Sequence, residues 1–418
     1  MNILFIHQNF PGQFKFLAPA LVKLGHHVTA MSIKKCNPAD WPGIDLVHYT
    51  ANRRSTQGVH AWVANLETKV IRGEACFHAA LKMHAEGYMP DVIVAHPSWG
   101  ESLFLREVWP QSRIGIYAEF YYHAQGADVG FDPEFLSNDP GEACRIKLMN
   151  VNHQLQFEEA IAAISPTKWQ ASTFPVWFRK KITIIHDGID TELLKPNPQI
   201  TFQLNKTLKL TRQDEVVTFV SRNLEPYRGY HIFMRALPEI IKQRPNAHIL
   251  IVGGDGVSYG QPSKDGLKWK DIFANEIRPL ISANDQQRVH FLGNIAYKSF
   301  IGILQLSTVH VYLTYPFVLS WSLLESMSVG GVIVASNTAP LHEVIQHDEN
   351  GRLVDFFDAT GLAAEVCDLL QDKTARERLS MHARSSIQNH YDLKKICLPK
   401  QIKWVESLAK LDNSITSH

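Results

Sequence analysis

Residues His310–Ile345, HVYLTYPFVLSWSLLESMSVGGVIVASNTAPLHEVI, decide how the rest of this chain is read. Val309–Leu313 is a short apolar strand, and a polar-aromatic loop leads from it into a helix with one inward-facing acidic residue, Glu325. A second apolar strand, Val332–Ala335, and a helix start near Pro340 come next. A strand feeding a loop and then a helix N-terminus leaves backbone N–H groups without partners, and such groups suit a phosphate. Glu325 lies about one turn into the helix, within reach of hydroxyls on whatever carries that phosphate. The pattern predicts a phosphorylated, hydroxyl-bearing ligand at the carboxyl edge of a parallel sheet.

The same alternation extends outward in both directions. Asn2–Ile6 reads as a strand, His7–Gln13 as a Pro-Gly loop, Phe14–Leu24 as a helix ended by Gly25, and Val28–Ser32 as the next strand. Pro19 conflicts with that helix, which it should kink or restart. Asp91–Ala95 and Ile114–Ala118 are further strands, and Glu158–Ile164 passes from a helix into a strand. Short apolar strands separated by helical patterns imply parallel βαβ units in a doubly wound sheet. After a strand at Ile182–Ile185, two prolines and a loss of periodicity predict a linker near 190–212.

The rhythm then restarts with strands at Val216–Ser221, His248–Val252, Val289–Leu292 and Val309–Leu313, and a helix at Tyr230–Lys242. Two similar sheets holding a ligand between their carboxyl edges are expected. The tail Lys373–Lys410 is a helical pattern broken by Pro399.

At 418 residues the chain exceeds one ordinary domain, and two of roughly 200 residues each are expected. A hydrophobic content of 45% with 20% charged residues is that of a globular protein. A net charge of +1 argues against nucleic-acid binding, which needs a basic face. Five cysteines, odd in number and without paired spacing, predict reduced thiols and no zinc cluster. The start MNILFIH lacks the features of a secretion signal, and no apolar run reaches the ~20 residues of a membrane helix. A soluble cytoplasmic protein is expected.

Leu324, Glu325, Ser326, Met327, Gly330, Val334, Ala335 and Ser336 resemble the signature of the retaining glycosyltransferases of family 4. The resemblance runs from the Pro-Gly loop to the terminal helix and is most specific between Arg222 and Glu343. It implies the GT-B fold: two Rossmann-like, doubly wound parallel-sheet domains facing each other across a cleft. Residues 1–190 would form the acceptor-side domain and 191–385 the nucleotide-sugar domain, with 386–418 crossing back as a helix to the first. Glu325 matches the second glutamate of the signature. Phe317 stands where the first is expected, and Val318 and Ser320, flanking Leu319, replace glycines of the loop.

Arg222 and Arg228, in SRNLEPYRGYH, are six residues apart around a turn and can grip a diphosphate with paired bonds. Taken alone they read more readily as two solvated surface arginines. The resemblance makes them the groups that neutralise a departing nucleoside diphosphate, with arginine at the second place where lysine is commoner. Gly12, after the first strand, lets backbone approach a ligand, or simply makes a turn. His96 follows an apolar strand. It either caps that strand or, as the resemblance implies, contacts the donor sugar. Gly253 and Gly254 end another strand, while Asn294 and Tyr297 lie in a loop that the resemblance sets beside the nucleobase. The stretch Glu119–Phe135, EFYYHAQGADVGFDPEF, resembles a subgroup of the family and would shape the acceptor side. Phe317 either faces the donor sugar, leaving its hydroxyls to backbone N–H groups around Val318–Ser320, or points into the core.

Other chemistries fit less well. The chain lacks an Asp-any-Asp pair and a His-Glu-any-any-His helix, so no metal site is expected. Gly256-Val257-Ser258-Tyr259-Gly260 spells a hydrolase elbow but runs into Gln261-Pro262, where a helix should begin. The nicotinamide fingerprint does not follow the first strand, which disfavours a dehydrogenase. The expected activity is retaining, metal-independent transfer of a sugar from a nucleotide-diphosphate sugar, a substrate and not a cofactor, to an acceptor hydroxyl. The acceptor would be a saccharide, a lipid-linked or a small molecule, and the enzyme would lie free in the cytoplasm or peripherally at the inner membrane face. The alternatives are a GT-B sugar-nucleotide epimerase, a phosphorylase, or a catalytically silent binding subunit.

Overall fold

Strand β1 (Asn2–Ile6) is apolar and buried after its first residue, as a central parallel strand covered on both faces must be. The structure is a computed structural model describing residues 1–411. It divides into two units, Ile189–Leu393 and the remainder, in which Lys394 onward joins Met1–Gly188. Residues 412–418 of the expected carboxyl-terminal segment lie outside the described residues.

In the first unit β1 is followed by α1 (Leu17–Lys23), β2 (His27–Ser32), β3 (Ile44–His48), α2 (Ala64–Ala85) and β4 (Val92–Ala95). Then come α3 (Leu105–Val108), β5 (Arg113–Tyr117), α4 (Glu142–Glu159), β6 (Ala162–Ser165), α5 (Lys168–Ser172), α6 (Val176–Arg179) and β7 (Ile182–Ile184). The seven strands are parallel in the order β3-β2-β1-β4-β5-β6-β7, so the winding reverses between β1 and β4. The predicted helix Phe14–Leu24 is two pieces, a 3-10 turn Gly12–Phe14 and then α1, with Pro19 in the first turn of α1. An N–H is not needed there, so the proline restarts the helix without breaking it. Two of the unit's major elements, β3 and α2, have no counterpart in the sequence reading, because the polar residues of both obscure their period.

The second unit opens with a two-stranded antiparallel ribbon, β8 (Thr201–Gln203) with β9 (Lys209–Thr211), inside the segment expected to be a linker. Asn205 turns this ribbon, its Oδ1 accepting the N–H groups of Thr207 and Leu208. There follow β10 (Val216–Asn223), α7 (Tyr230–Gln243), β11 (His248–Gly254), α8 (Trp269–Ile277), α9 (Ala283–Gln286), β12 (Val289–Gly293) and α10 (Tyr297–Leu306). The unit continues with β13 (Val309–Tyr312), α11 (Trp321–Ser328), β14 (Ile333–Ser336), β15 (Arg352–Val354), α12 (Ala359–Gln371) and α13 (Lys373–His390). Its six parallel strands run β12-β11-β10-β13-β14-β15, and the winding reverses between β10 and β13. Near Pro340 the expected helix is only a 3-10 segment, Ala339–Glu343.

The last helix, α14 (Leu398–Leu408), belongs to the first unit and carries Pro399 in its first turn. It lies so close to β5 that a Cβ on Gly115 would come within 2.5 Å of Leu408 and 2.7 Å of Trp404. Among the described residues no helix is long and apolar enough to cross a membrane.

Candidate functional site

In an open parallel sheet the crevice for a ligand forms where the winding reverses, at the carboxyl ends of the two central strands. In the second unit those are β10 and β13. The residues Arg222–Arg228 and Leu313–Ser320 occupy their exits.

Arg222 is the penultimate residue of β10, which runs on to Asn223 and pairs there with Gly254 after a register shift. It was expected in a loop; the extra pairing with β11 carries the strand past it. Arg222 is exposed, and its guanidinium lies 5.7 Å from the centre of the Tyr259 ring. Beyond it the chain makes a 3-10 turn, Pro226–Arg228, that ends on Gly229 at φ +68°. A Cβ on Gly229 would stand 2.3 Å from that of Leu313, so only glycine lets this turn close against the exit of β13.

That closure brings Arg228 inward. It is 6% exposed, and Nη1 donates to Thr314 Oγ1 at 2.7 Å and to the Tyr312 hydroxyl at 3.3 Å. Its guanidinium lies 5.0 Å from the Tyr259 ring and 5.9 Å from the Phe317 ring. Phe317 is 5% exposed and packs among Tyr227 at 5.1 Å and Tyr259 at 5.2 Å. The side chain at the place of the expected glutamate is therefore part of the aromatic wall around Arg228. Such a wall favours a cation by ring electrostatics and excludes water from it.

The loop beyond Phe317 and Val318 ends at Ser320, whose side chain caps α11 by accepting the Ser322 N–H. The Ser320 N–H itself donates to the Tyr312 hydroxyl at 2.8 Å. Of the N–H groups around Val318, Leu319 and Ser320 that were expected to face the donor sugar, that of Ser320 is thus engaged within the protein. Glu325 is 9% exposed on α11, and its Oε1 accepts the Tyr297 hydroxyl at 2.7 Å. Tyr297 opens α10, just beyond Asn294, which stands against Gly254: a Cβ there would be 3.1 Å from Asn294 Nδ2. Thus Arg228, Phe317 and Ser320 form one cluster, Glu325 and Tyr297 a second, and Gly253, Gly254 and Asn294 line the exits of β11 and β12.

Two residues that sequence reasoning passed over organise this edge. Glu225 is fully buried, and its carboxylate accepts the backbone N–H groups of Ser258 at 3.0 Å, Tyr259 at 3.2 Å and Gly260 at 3.1 Å. Burial raises its carboxyl above the ordinary value, against the pull of these bonds. Tyr259, from the segment set aside as a false hydrolase elbow, is what those bonds hold in place. A carboxylate between two arginines in RNLEPYR was the available signal for Glu225.

The winding of the first unit reverses at β1 and β4, and a chain of polar side chains crosses their exits. His7 accepts the Asn9 N–H on Nδ1 at 3.0 Å, which leaves the proton on Nε2 to be shared with Gln13 Oε1 at 2.9 Å. Gln13 donates in turn to Glu119 Oε1 at 3.0 Å, and Glu119 Oε2 lies 3.6 Å from His96 Nε2. Burial, with the neighbouring His96, lowers His7 to about 3 and keeps its ring neutral. Burial pushes the Glu119 carboxyl up, but its contact with His96 and the bond from Gln13 outweigh burial and hold it below its ordinary value.

His96 is 0% exposed and stacked between Trp99 at 4.5 Å and Tyr117 at 5.3 Å. Gly12 (φ +47°) makes the chain possible, because a Cβ there would sit 2.1 Å from His7 Nε2. Gly12 and His96, both singled out in the sequence, meet here; His7 and the role of Gln13 are not visible there, since their pairing depends on the fold.

Comparison with known proteins places both units. Residues 24–194 match the Glycosyl transferase family 4 group, and residues 203–386 match Glycosyl transferases group 1. Spore coat protein SA of Bacillus subtilis (strain 168) is 23% identical over 91% of this chain and 90% of its own length. The sucrose-phosphate synthase (tll1590) of Thermosynechococcus elongatus aligns with a TM-score of 0.74 at 18% identity, covering 98% of this chain and all of that one. Anabaena Alr3699/HepE in complex with UDP-glucose aligns at 0.68 with 17% identity, over 98% of this chain and 100% of its own. With both halves matched and both sheets wound alike, the chain belongs to the group 1, family 4 glycosyltransferases and has the GT-B fold.

Proposed function

We propose that this glycosyltransferase moves a sugar from a nucleotide-diphosphate sugar to an acceptor hydroxyl with retention of anomeric configuration and without a bound metal. The observation that carries the reading is the pair Arg222 and Arg228, ranged over the single Tyr259 ring at the exit of β10. Two guanidinium groups at the switch point of a parallel sheet supply the charge and the paired donors that a diphosphate requires. The complex of the Anabaena neighbour with UDP-glucose supports a nucleotide-sugar donor.

In this reading the bond between the anomeric carbon and the diphosphate oxygen breaks, and its electron pair passes to the diphosphate. Arg222 and Arg228 stabilise that charge as it grows. Charge stabilisation by fixed groups in a dry site is the largest contribution to many transfer reactions. The acceptor oxygen bonds the anomeric carbon on the same face, and its proton passes to the leaving phosphate. Glu325, oriented by Tyr297, accepts the ribose hydroxyls. Gly253, Gly254 and Asn294 flank the nucleobase. The chain His7–Gln13–Glu119–His96 of the first unit is assigned to the sugar and its acceptor, which is a saccharide, a lipid-linked or a small molecule. No cofactor is needed, and any membrane association is peripheral.

The test is product analysis by proton NMR after incubation with UDP-, GDP- and ADP-sugars and a panel of hydroxyl acceptors, with and without EDTA. A product with the donor's anomeric configuration, formed equally in EDTA, is expected. An inverted product, or activity that returns only with magnesium or manganese, contradicts the reading. Conversion of the sugar nucleotide without acceptor would make the protein an epimerase.

A further inference from the structure

Three consecutive backbone N–H groups converging on one point form a nest of the kind that binds a phosphate. Residues Ser258, Tyr259 and Gly260 make such a nest, and the carboxylate of Glu225 fills it. The glycine-rich segment after β11 therefore presents these N–H groups inward, to its own chain. A second tie runs parallel to the first: Asn223 Oδ1 accepts the Gly256 N–H at 3.2 Å, and its Nδ2 donates to Ser258 Oγ at 2.6 Å. Both ties start from the stretch that separates Arg222 from Arg228.

What the ties hold is the Tyr259 ring, which meets the Arg222 guanidinium at 5.7 Å and that of Arg228 at 5.0 Å. One ring shared by two cations fixes their directions and offsets part of their repulsion. We propose that Glu225 is a positioning residue that sets the two arginines for a diphosphate, acting through the backbone of residues 258–260 and the ring of Tyr259. It rests on the reading of Arg222 and Arg228 as the diphosphate grip. Glu225 itself touches no substrate: it is fully buried beneath the segment it binds.

Glu225→Gln retains the shape but turns an amide N–H₂ toward an N–H donor, so one end of the nest must open. The full chain is titrated calorimetrically with UDP, GDP and ADP, and then with the nucleoside of whichever binds. A positioning role makes the loss selective. Glu225→Gln should weaken the diphosphate by about 10-fold or more, the factor for roughly 1.4 kcal/mol, while nucleoside affinity stays within about twofold. A merely structural role would weaken both alike.

Tyr259→Leu is the second variant. It keeps all three N–H groups on Glu225, removes only a half-exposed ring, and should show the same selective loss. Arg222→Ala separates the two levels of the argument. If Arg222→Ala loses diphosphate affinity while Glu225→Gln and Tyr259→Leu bind like the wild type, the positioning role is overturned and the grip stands. If Arg222→Ala also binds like the wild type, the grip itself is wrong.

Discussion

The Tyr312 hydroxyl accepts the N–H of Ser320 at 2.8 Å, fastening the end of β13 to the start of α11 across the intervening loop. Because Arg228 donates to the same oxygen at 3.3 Å, one phenol joins the guanidinium to the helix N-terminus. The loop that carries Phe317 is thereby held at both ends, and its aromatic wall around Arg228 follows from that.

Tyr312→Phe should test this joint. Removing one oxygen leaves a buried arginine and a backbone N–H short of a partner, a cost of about 1–3 kcal/mol. The denaturation midpoint should fall accordingly, and turnover should fall with it as Arg228 loses its orientation. Unchanged stability and turnover would show that the phenol is incidental.

Phe317→Glu should behave as a change at Arg228 more than at the sugar. The ring's contacts with Tyr227 and Tyr259 would be lost, and the new carboxylate would stand beside a guanidinium now 5.9 Å from the ring centre. Reduced stability and weaker nucleoside-diphosphate binding are expected, because the acquired charge competes with the diphosphate for Arg228. A stable variant that keeps its diphosphate affinity and changes only its choice of sugar would place Phe317 at the sugar instead.

Gly12→Ala should act on the first unit alone. The added methyl would fall 2.1 Å from His7 Nε2 in a backbone at φ +47°, forcing apart the chain from His7 through Gln13 to Glu119. Turnover should drop by at least about tenfold, on the order of 1.4 kcal/mol in the barrier, while calorimetric affinity for the nucleoside diphosphate is retained. Loss of both together would refute the assignment of this chain to the sugar and acceptor.

Glu101 gives a pH dependence. It is 0% exposed, its carboxylate oxygens meet no well-aligned hydrogen-bond partner among the described residues, and burial raises its carboxyl from 4.5 to about 7. Between those values the unfolded chain gives up the proton that the native chain keeps. This group's contribution to stability is therefore present in full below pH 4.5 and declines as pH rises toward 7. Glu101→Gln should remove that decline, so its stability relative to the wild type rises from pH 4.5 to 7 in urea titrations. A constant difference across that range would mean the carboxyl titrates normally.

The parallel architecture was legible because buried central strands are continuous apolar runs: Asn2–Ile6, His248–Val252 and Val309–Leu313 each coincide with a strand to within two residues. Helix α2 and strand β3 were not, because their apolar residues are interleaved with charged and polar ones. The site divides in the same way. Arg222, Arg228 and Glu325 stand in a local order that a sequence displays. Glu225, Tyr259 and Tyr312 matter through backbone groups and rings brought to them by the pairing of β10 with β11 and β13, which no local pattern encodes.

The central claim, that Arg222 and Arg228 grip a nucleoside diphosphate, is tested most directly by calorimetric titration of the wild type and Arg222→Ala with UDP, GDP and ADP. At least one should bind the wild type, and Arg222→Ala should weaken it by about 10-fold or more, as expected for a hydrogen bond to a charged group of roughly 1.5–3 kcal/mol. Equal binding by both proteins, or no binding of any of the three by the wild type, would contradict the account.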